Sequence, residues 1–397
     1  MLTLDKIYQA AFALKNVIRP TNLIAAPGLS KDCEVFLKPE NLQITGSFKV
    51  RGSAFKISQL SDEEKAKGVI ACSAGNHAQG VALAATKQNI KSLICLPSGA
   101  PISKVEATKG YGAEVCLVKG VYDDAYNKAL ELQKEHGYSF IHPFDDEDVI
   151  AGQGTIGLEI LDELDDVDAV VVPIGGGGLI SGVAFAIKTL RPNVKVYGVQ
   201  AAGAPSMYNS VKKGEIETLK SVSTFADGIA VKSPGENTFY YCNNYVDEIV
   251  TVNEDEISTA ILTMMEQQKT IAEGAGAVSV AAILANKLPI KGKRVVAIVS
   301  GGNIDVTILS RVIERGLLNT GRTSQLCVEL SDRPGQLHEV SGIIADCGGN
   351  VISVHHERAS EIKDINGCYL RIVIETRNFE HIEQIKEKLT EHKFRLV

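Results

Sequence analysis

The chain has 397 residues, of which 45% are hydrophobic and 22% are charged, and its formal net charge is −7. This length suggests two or three globular domains. The excess of acidic side chains argues against a nucleic-acid partner and against a basic membrane-surface patch. No apolar segment reaches the roughly 18 residues of a membrane-spanning helix, and the N-terminus lacks the features of a signal peptide. We therefore expect a cytoplasmic protein.

The cysteines are scattered along the chain, and none of them forms a CxxC pair. Such spacing indicates neither a zinc site nor a disulfide framework, so we expect reduced and mostly buried thiols. The eight are Cys33, Cys72, Cys95, Cys116, Cys242, Cys327, Cys347 and Cys368.

From about Cys33 to Val299, short β-branched segments alternate with helical stretches. Segments that are apolar on both faces, separated by amphipathic helices such as Asn76–Lys87, indicate parallel strands in an α/β protein. The predicted strands are VIACSA, KSLICLP, AEVCLV, AVVVPIGGGG, KVYGVQ and RVVAIVSGGN. Several of them run into glycine-rich turns, and ligands of parallel sheets bind at the carboxyl ends of the strands.

The segment GSFKVRG places Lys49 between Phe48 and Val50, with a glycine at either end. Apolar neighbours remove water from an ammonium group, which lowers its pKa toward the range in which the amine is a nucleophile. Taken alone, the heptapeptide is more typical of a solvated lysine at the start of a helix.

Four consecutive glycines in PIGGGGLISG separate a predicted strand, Ala169–Ile174, from a helix that begins near Leu179. Without Cβ atoms, their backbone N–H groups can converge on one anion at the helix N-terminus, and a phosphate fits there. A tightly packed turn is the alternative. The GxGxxG pattern of a dinucleotide site is absent, and KVYGVQ ends in Gln200 instead of an acidic residue.

Two further turns follow predicted strands. In ACSAGNHAQG, the side chains of Ser73, Asn76 and His77 can donate to a carboxylate or a ring hydroxyl, although an N-cap serine and a packed histidine explain the same residues. In VSGGN, Ser300 lies at a strand end. Together the four segments describe a site for a cofactor with one aldehyde, one phosphate and one ring.

The motifs GSFKVRGS, SAGNHAQG, AGQGTIGLEI, PIGGGGLISG, EGAGA and SGGN occur in a fixed order. In these motifs the chain, from about Leu4 to Gly316, resembles the fold type II pyridoxal-phosphate enzymes, and specifically the threonine dehydratases, also called threonine ammonia-lyases. The resemblance implies pyridoxal 5'-phosphate as cofactor and a two-lobed α/β catalytic domain with parallel sheets, similar to the tryptophan synthase β fold. This domain is predicted at residues 1–320, with a smaller lobe at about residues 41–147 inserted in the larger lobe.

The resemblance also implies a role for each site residue. Lys49 forms the covalent link to the cofactor aldehyde and, once displaced, acts as the base. Phe48 packs against the ring, and Asn76 bonds the ring hydroxyl. Ser300 faces the pyridine nitrogen, and Glu273 lies near the ring. The phosphate of the cofactor is held by the glycine segment, which consists of Gly175, Gly176, Gly177, Gly178 and Leu179. The substrate carboxylate is held by the turn of Ser73, Ala74, Gly75, Asn76 and His77.

The implied reaction is β-elimination, which converts L-threonine to 2-oxobutanoate and ammonia, with L-serine as a further substrate. An L-serine dehydratase or a serine racemase on the same scaffold is the nearest alternative. Racemases carry a serine where this chain has Ala74, and the alanine favours elimination. A catalytically silent amino-acid-binding regulator is a more distant alternative. No carboxylate lies between Val199 and Asn209, where relatives with a divalent-cation site carry acidic side chains, so no divalent metal is expected. Binding of a monovalent cation through backbone carbonyls is the alternative that the sequence leaves open.

Residues 321–397 have a different pattern, with the βαββαβ order of a ferredoxin-like fold. The SDRPGQL turn resembles that of an ACT domain, in which Asp332, Pro334 and Gly335 would shape a binding site for an amino-acid effector. A purely structural dimerisation domain is the alternative, and we expect a homodimer or homotetramer. The predicted elements are the strand Gln325–Leu330, the helix Leu337–Ala345, the strands Val351–His356 and Tyr369–Glu375, the helix Phe379–Leu389 and a last short strand.

Overall fold

The computed structural model describes residues 1–358 and 367–397. The chain divides into two compact units, Met1–Ile308 and Leu309–Val397. The division falls within the helix Val306–Asn319, slightly before the boundary at residues 320 and 321 that the sequence suggests. The assignment of a catalytic and a regulatory domain to these regions stays a prediction.

The α-helices of the described residues are α1 (Leu4–Leu14), α2 (Lys49–Ser58), α3 (Asp62–Lys67), α4 (Asn76–Lys87), α5 (Ile102–Gly110), α6 (Tyr122–His136), α7 (Glu147–Glu163), α8 (Gly178–Leu190), α9 (Ser206–Lys213), α10 (Glu236–Tyr245), α11 (Glu254–Gln268), α12 (Gly274–Leu284), α13 (Val306–Asn319), α14 (Gln336–Asp346) and α15 (Phe379–Glu391). The strands are β1 (Ile24–Ala25), β2 (Glu34–Pro39), β3 (Val69–Cys72), β4 (Ser92–Pro97), β5 (Glu114–Val118), β6 (Ser139–Phe140), β7 (Ala169–Pro173), β8 (Lys195–Ala201), β9 (Glu248–Val252), β10 (Arg294–Val299), β11 (Thr323–Ser331), β12 (Asn350–Glu357), β13 (Gly367–Glu375) and β14 (Arg395–Leu396).

The first unit contains two separate sheets. The larger has six strands in the order β1-β2-β10-β7-β8-β9, and all neighbours are parallel except β1 and β2. The smaller has four parallel strands in the order β5-β4-β3-β6. Every residue of β7 is buried, as expected for a central strand covered on both faces. The predicted α/β class with parallel sheets is confirmed.

The order of the strands brings the predicted loops together. β7 and β10 are neighbours, so the glycine segment after Pro173 and the segment after Val299 leave the larger sheet at the same edge. In the smaller sheet, β3 ends at Cys72 and leads directly into the turn that precedes α4. The carboxyl ends of strands in both sheets therefore supply the walls of one cavity.

A buried group of charges fixes α2 against α7. The Arg51 guanidinium is fully buried and donates to both carboxylate oxygens of Glu40, at 2.8 Å each, and to both oxygens of Glu159, at 2.5 and 2.8 Å. Lys38, which is also fully buried, pairs with Glu159 at 2.7 Å. Because Arg51 lies in the first turn of α2, this group holds the helix that begins at Lys49.

The second unit contains an antiparallel sheet in the order β12-β13-β11-β14, with α14 and α15 as its helices beyond α13. The elements follow the predicted βαββαβ sequence, with bounds that differ by up to two residues from those expected. Its core is formed by the apolar side chains of the strands and of one face of each helix, among them Val328, Ile344, Ile372 and Leu389.

Candidate active site

Lys49 is the first residue of α2, and it lies at the wall of a cavity of about 730 Å³. Its Nζ donates to the Pro143 carbonyl oxygen at 2.7 Å and lies 5.2 Å from the centroid of the Phe48 ring. Burial lowers the pKa of Lys49 to about 8, and the negative charge of Glu273 opposes this shift only in part. About half of the amine is therefore uncharged near pH 8, where an ordinary lysine is almost fully charged.

The glycine segment forms a backbone cradle in the same cavity. α8 begins at Gly178, so the N–H groups of its first turn have no carbonyl partner within the helix. Gly177 has a φ of +99°, which places it in the left-handed region. A Cβ on Gly176 would come within 2.5 Å of the ring of Phe144, so any larger residue would displace this wall. An anion fits at this helix N-terminus.

The turn before α4 contributes backbone and side-chain donors. The N–H of Gly75 donates to Ser73 Oγ at 3.1 Å. The His77 ring is buried, with Nε2 2.8 Å from the Ile141 carbonyl oxygen, and burial together with the charge of Lys49 lowers the pKa of His77 to about 3. The ring is thus neutral and packed, as in the alternative interpretation of the sequence, and only the backbone at this position can serve an anion.

A chain of side-chain hydrogen bonds links Glu273 and Asn76, which line the cavity, to Asn303. Asn76 Nδ2 donates to Glu273 Oε1 at 2.6 Å, and Asn76 Oδ1 accepts from Asn303 Nδ2 at 2.7 Å. Glu273 is buried, and burial, reinforced by the charge of Asp227, raises its pKa to about 7. Ser300, also buried, donates to the Ala275 carbonyl oxygen at 3.3 Å.

The predicted residues of the first unit all line this one cavity. They are Phe48, Lys49, Ser73, Ala74, Gly75, Asn76, His77, Gly175, Gly176, Gly177, Gly178, Leu179, Glu273 and Ser300. Their placement fits a cofactor with an aldehyde for Lys49, a phosphate for the helix N-terminus and a ring between the two.

The site also contains residues whose contacts no local sequence pattern indicates. Phe144 forms the wall under the glycine segment, and Asn303, the last residue of the SGGN motif, donates to Asn76 Oδ1. Lys104 and Asp227, both in the cavity lining, form an ion pair at 2.5 Å between the α5 region and the loop before α10. Each of these contacts joins distant parts of the chain, so local patterns do not show them.

The residues predicted to be regulatory lie in the second unit. Gly335 caps the N-terminus of α14 with a φ of +95°, and Pro334 precedes it. The Asp332 carboxylate pairs with Arg358, with Oδ2 2.7 Å from Nε. Donor atoms of Asp332, His356 and Cys368 lie within 4.8 Å of one another, the one such group among the described residues, but the carboxylate is already engaged by the arginine.

A family model described as pyridoxal-phosphate dependent enzyme matches residues 14–301. The chain belongs to this family. The chain is 51% identical over 391 residues to a Thermotoga maritima protein named L-threonine ammonia-lyase, covering 98% of this chain and 97% of that protein. The predicted cofactor, pyridoxal phosphate, is confirmed at the level of the family.

Solved structures of the family show the same fold. The processed form of threonine deaminase isoform 2 from Solanum lycopersicum has a TM-score of 0.76 at 42% identity, covering 80% of this chain and 90% of that chain. Maize serine racemase has a TM-score of 0.75 at 33% identity, covering 80% of this chain and 98% of that chain. No helix among the described residues is both long enough and apolar enough to cross a membrane.

Proposed function

We propose that this pyridoxal-phosphate enzyme is a threonine ammonia-lyase that converts L-threonine to 2-oxobutanoate and ammonia and also acts on L-serine. The observation that supports this most directly is the pairing, in one cavity, of the Lys49 amine with the glycine cradle at the start of α8. The high identity to a protein named L-threonine ammonia-lyase over nearly the full chain supports the choice of reaction.

Bound pyridoxal phosphate supplies an electron sink that stabilises negative charge at the Cα atom of an amino acid. The residues of the chain would hold and orient this group. The backbone N–H groups of Gly175 to Leu179 would bind the phosphate. Phe48 would contact the ring, and Ser300 would offer the pyridine nitrogen a neutral hydroxyl. Asn76 would donate to the ring oxygen.

Lys49 carries the proton transfers. With a pKa near 8, its free amine can accept the Cα proton of the substrate at neutral to slightly basic pH. The resulting ammonium can return that proton to the β-hydroxyl, which leaves as water. Loss of this water and a later hydrolysis balance, so one L-threonine gives one 2-oxobutanoate and one ammonia. The backbone of the Ser73–His77 turn binds the substrate carboxylate during these steps.

A serine racemase is the alternative with support of its own, because maize serine racemase shares the fold. Racemisation requires a second acid or base on the opposite face of the substrate. In this chain the relevant position of the turn is Ala74, whose methyl group cannot exchange a proton. We therefore expect elimination to dominate. Formation of D-serine from L-serine at a rate comparable to pyruvate formation would favour the racemase.

The test of the function is release of 2-oxo acid from L-threonine and from L-serine by the purified holoenzyme. We expect turnover of both, and its loss in Lys49→Ala, because this variant has neither the covalent anchor nor the base. Borohydride should trap the cofactor on the wild-type chain and not on Lys49→Ala. Normal turnover by the variant would refute the role of Lys49.

We further propose that the second unit is an ACT domain that binds an amino-acid effector near Asp332, Pro334 and Gly335. Its βαββαβ order and the left-handed glycine at the start of α14 support this. We also propose that the protein forms a homodimer or a homotetramer in the cytoplasm. The eight cysteines are all free thiols in the structure, in keeping with a reducing compartment.

A further inference from the structure

We propose that Asn303 is a positioning residue that fixes the side-chain amide of Asn76, so that Asn76 presents an N–H group, and not its carbonyl oxygen, to the cofactor ring. The proposal rests on the assignment of the cavity to pyridoxal phosphate made above. Asn303 is the last residue of the SGGN segment, and through Asn76 it would influence the pKa of the cofactor chromophore.

The orientation of Asn303 follows from its fixed partner. Its Nδ2 donates to the backbone carbonyl oxygen of Thr45 at 2.7 Å and to Asn76 Oδ1 at 2.7 Å. A carbonyl oxygen can only accept, so the atom that faces Thr45 must be the amide nitrogen. Both hydrogens of that nitrogen are then committed, and the atom of Asn76 that faces it must be the oxygen.

The orientation of Asn76 follows in turn. With its oxygen held by Asn303, its Nδ2 lies toward Glu273 and donates to Oε1 at 2.6 Å. This uses one of the two amide hydrogens of Asn76. The hydrogen bonds of the described residues include no protein acceptor for the second, and Asn76 lines the cavity. An N–H donor is therefore available on the cavity side, where an anionic ring oxygen is the matching acceptor.

Close packing holds both ends of this chain of hydrogen bonds. Gly46 has a φ of +70°, and a Cβ there would overlap the Asn303 amide. At the other end, a Cβ on Gly301 would overlap the Glu273 carboxylate. The backbone adds a further link, since the N–H of Gly302 donates to the Gly46 carbonyl oxygen at 2.8 Å. The loop that carries Asn303 is thus fastened to the segment that leads into Lys49.

The variant that tests the direction of donation is Asn303→Asp. A carboxylate at this position accepts instead of donating, so it competes with Glu273 for the Asn76 N–H groups. Once Glu273 is protonated and can donate, the Asn76 amide should rotate and direct its N–H groups to residue 303. Its carbonyl oxygen would then face the cofactor side. Asn303→Ala removes the constraint without reversing it. Asn41→Asp is the matched control, because Asn41 is an interior asparagine whose Nδ2 also donates twice, to Thr270 Oγ1 and to the Ile271 carbonyl oxygen, both at 2.9 Å.

The measurement is a pH titration of the visible absorbance of bound cofactor in each holoenzyme. A donor to the ring oxygen stabilises its anionic form, so loss of the donor should raise the pKa of the chromophore by about half a unit to one unit. We expect the larger shift in Asn303→Asp, a smaller one in Asn303→Ala and none in Asn41→Asp. The affinity of the apoprotein for pyridoxal phosphate should fall about tenfold in Asn303→Asp.

The outcomes separate this proposal from the proposed function. An unchanged chromophore pKa in either Asn303 variant, or an equal shift in the Asn41 control, would overturn the role of Asn303 alone. A wild-type protein without a visible cofactor band would overturn the cofactor assignment as well. Which amino acid the enzyme consumes does not affect the titration, because no substrate is present. If Asn303→Asp does not fold, the Asn303→Ala titration decides.

Discussion

Two opposing effects set the protonation of Lys49. Burial disfavours the ammonium form, whereas the carboxylate of Glu273 favours it, and burial is the larger effect. Glu273 is itself pushed toward its neutral form, with a pKa raised to about 7. Between about pH 7 and pH 8 the cavity therefore holds a carboxyl group and an amine that both change protonation, and perturbed pKa values of this kind are typical of functional sites.

The pKa of Lys49 predicts how the cofactor reattaches to the apoprotein. Below about pH 8 the amine is protonated and cannot attack the aldehyde, and above it the amine is free. The rate of covalent attachment should therefore rise about tenfold per pH unit below the midpoint and level off above it. Mixing apoprotein with pyridoxal phosphate in a stopped-flow spectrophotometer would measure this. A midpoint near 10, the ordinary value for lysine, would contradict the burial argument.

The coupling between the two groups can be tested with Glu273→Gln. Near pH 8 the carboxyl group is mainly ionised, so the amide removes a negative charge that holds the pKa of Lys49 up. The midpoint of the attachment profile should then move to lower pH. Glu106→Gln is the control, because Glu106 is exposed and pairs with Lys109 at 2.9 Å. An unchanged midpoint in Glu273→Gln would show that the carboxyl group is neutral throughout.

At the scale of secondary-structure elements, the glycine segment should tolerate no side chain. In Gly176→Ala, the new Cβ would press on the Phe144 ring, and overpacking of this kind costs about 1–3 kcal/mol. If the cradle moves away from the phosphate, the affinity for pyridoxal phosphate should fall about tenfold to a hundredfold. Equilibrium dialysis of the apoprotein would measure the change. Gly110→Ala, where a Cβ would meet nothing within 4 Å, should bind normally.

The ion group under α2 gives a prediction for stability. Arg51→Met would leave the fully buried Glu40 carboxylate without its main partner, at a cost of about 3–5 kcal/mol. Urea unfolding of the apoprotein would measure the loss. The comparison is Arg294→Met, which breaks pairs with the exposed Glu34 and Asp166, where we expect at most about 1 kcal/mol. Equal losses of unfolding free energy in both variants would mean that burial does not make the Arg51 ion pairs more stabilising than the exposed pairs of Arg294.

At the scale of the whole molecule, periodic features could be predicted from the sequence and long-range contacts could not. Runs of buried β-branched residues and glycine-rich turns predicted the parallel strands and the loops at their carboxyl ends. The partner of Asn76, by contrast, lies 227 positions away at Asn303, and no local pattern encodes that pairing. The interior placement of the His77 ring likewise depends on the Ile141 carbonyl, which belongs to a different segment.

The division into two units leads to a prediction about regulation of the turnover rate by amino acids. Every residue that lines the cavity lies between Phe48 and Ser300, within the first unit. A chain that ends at Arg322 should therefore fold, bind pyridoxal phosphate and release 2-oxobutanoate from L-threonine at a rate near that of the full chain. Its turnover should no longer respond to isoleucine, valine, leucine or other amino acids that alter the full-length enzyme.

Full-length Asp332→Ala separates effector binding from the mere presence of the second unit. The side chain of Asp332 lies in the predicted effector turn and not in the catalytic cavity, so basal turnover should persist while the response to the effector weakens. Initial rates of 2-oxo acid release, with and without each amino acid, would compare the two proteins with the wild type. The truncated chain could instead fold and bind cofactor without turning over L-threonine. This result would show that catalysis depends on the second unit, and the prediction that the first unit is sufficient for catalysis would be wrong.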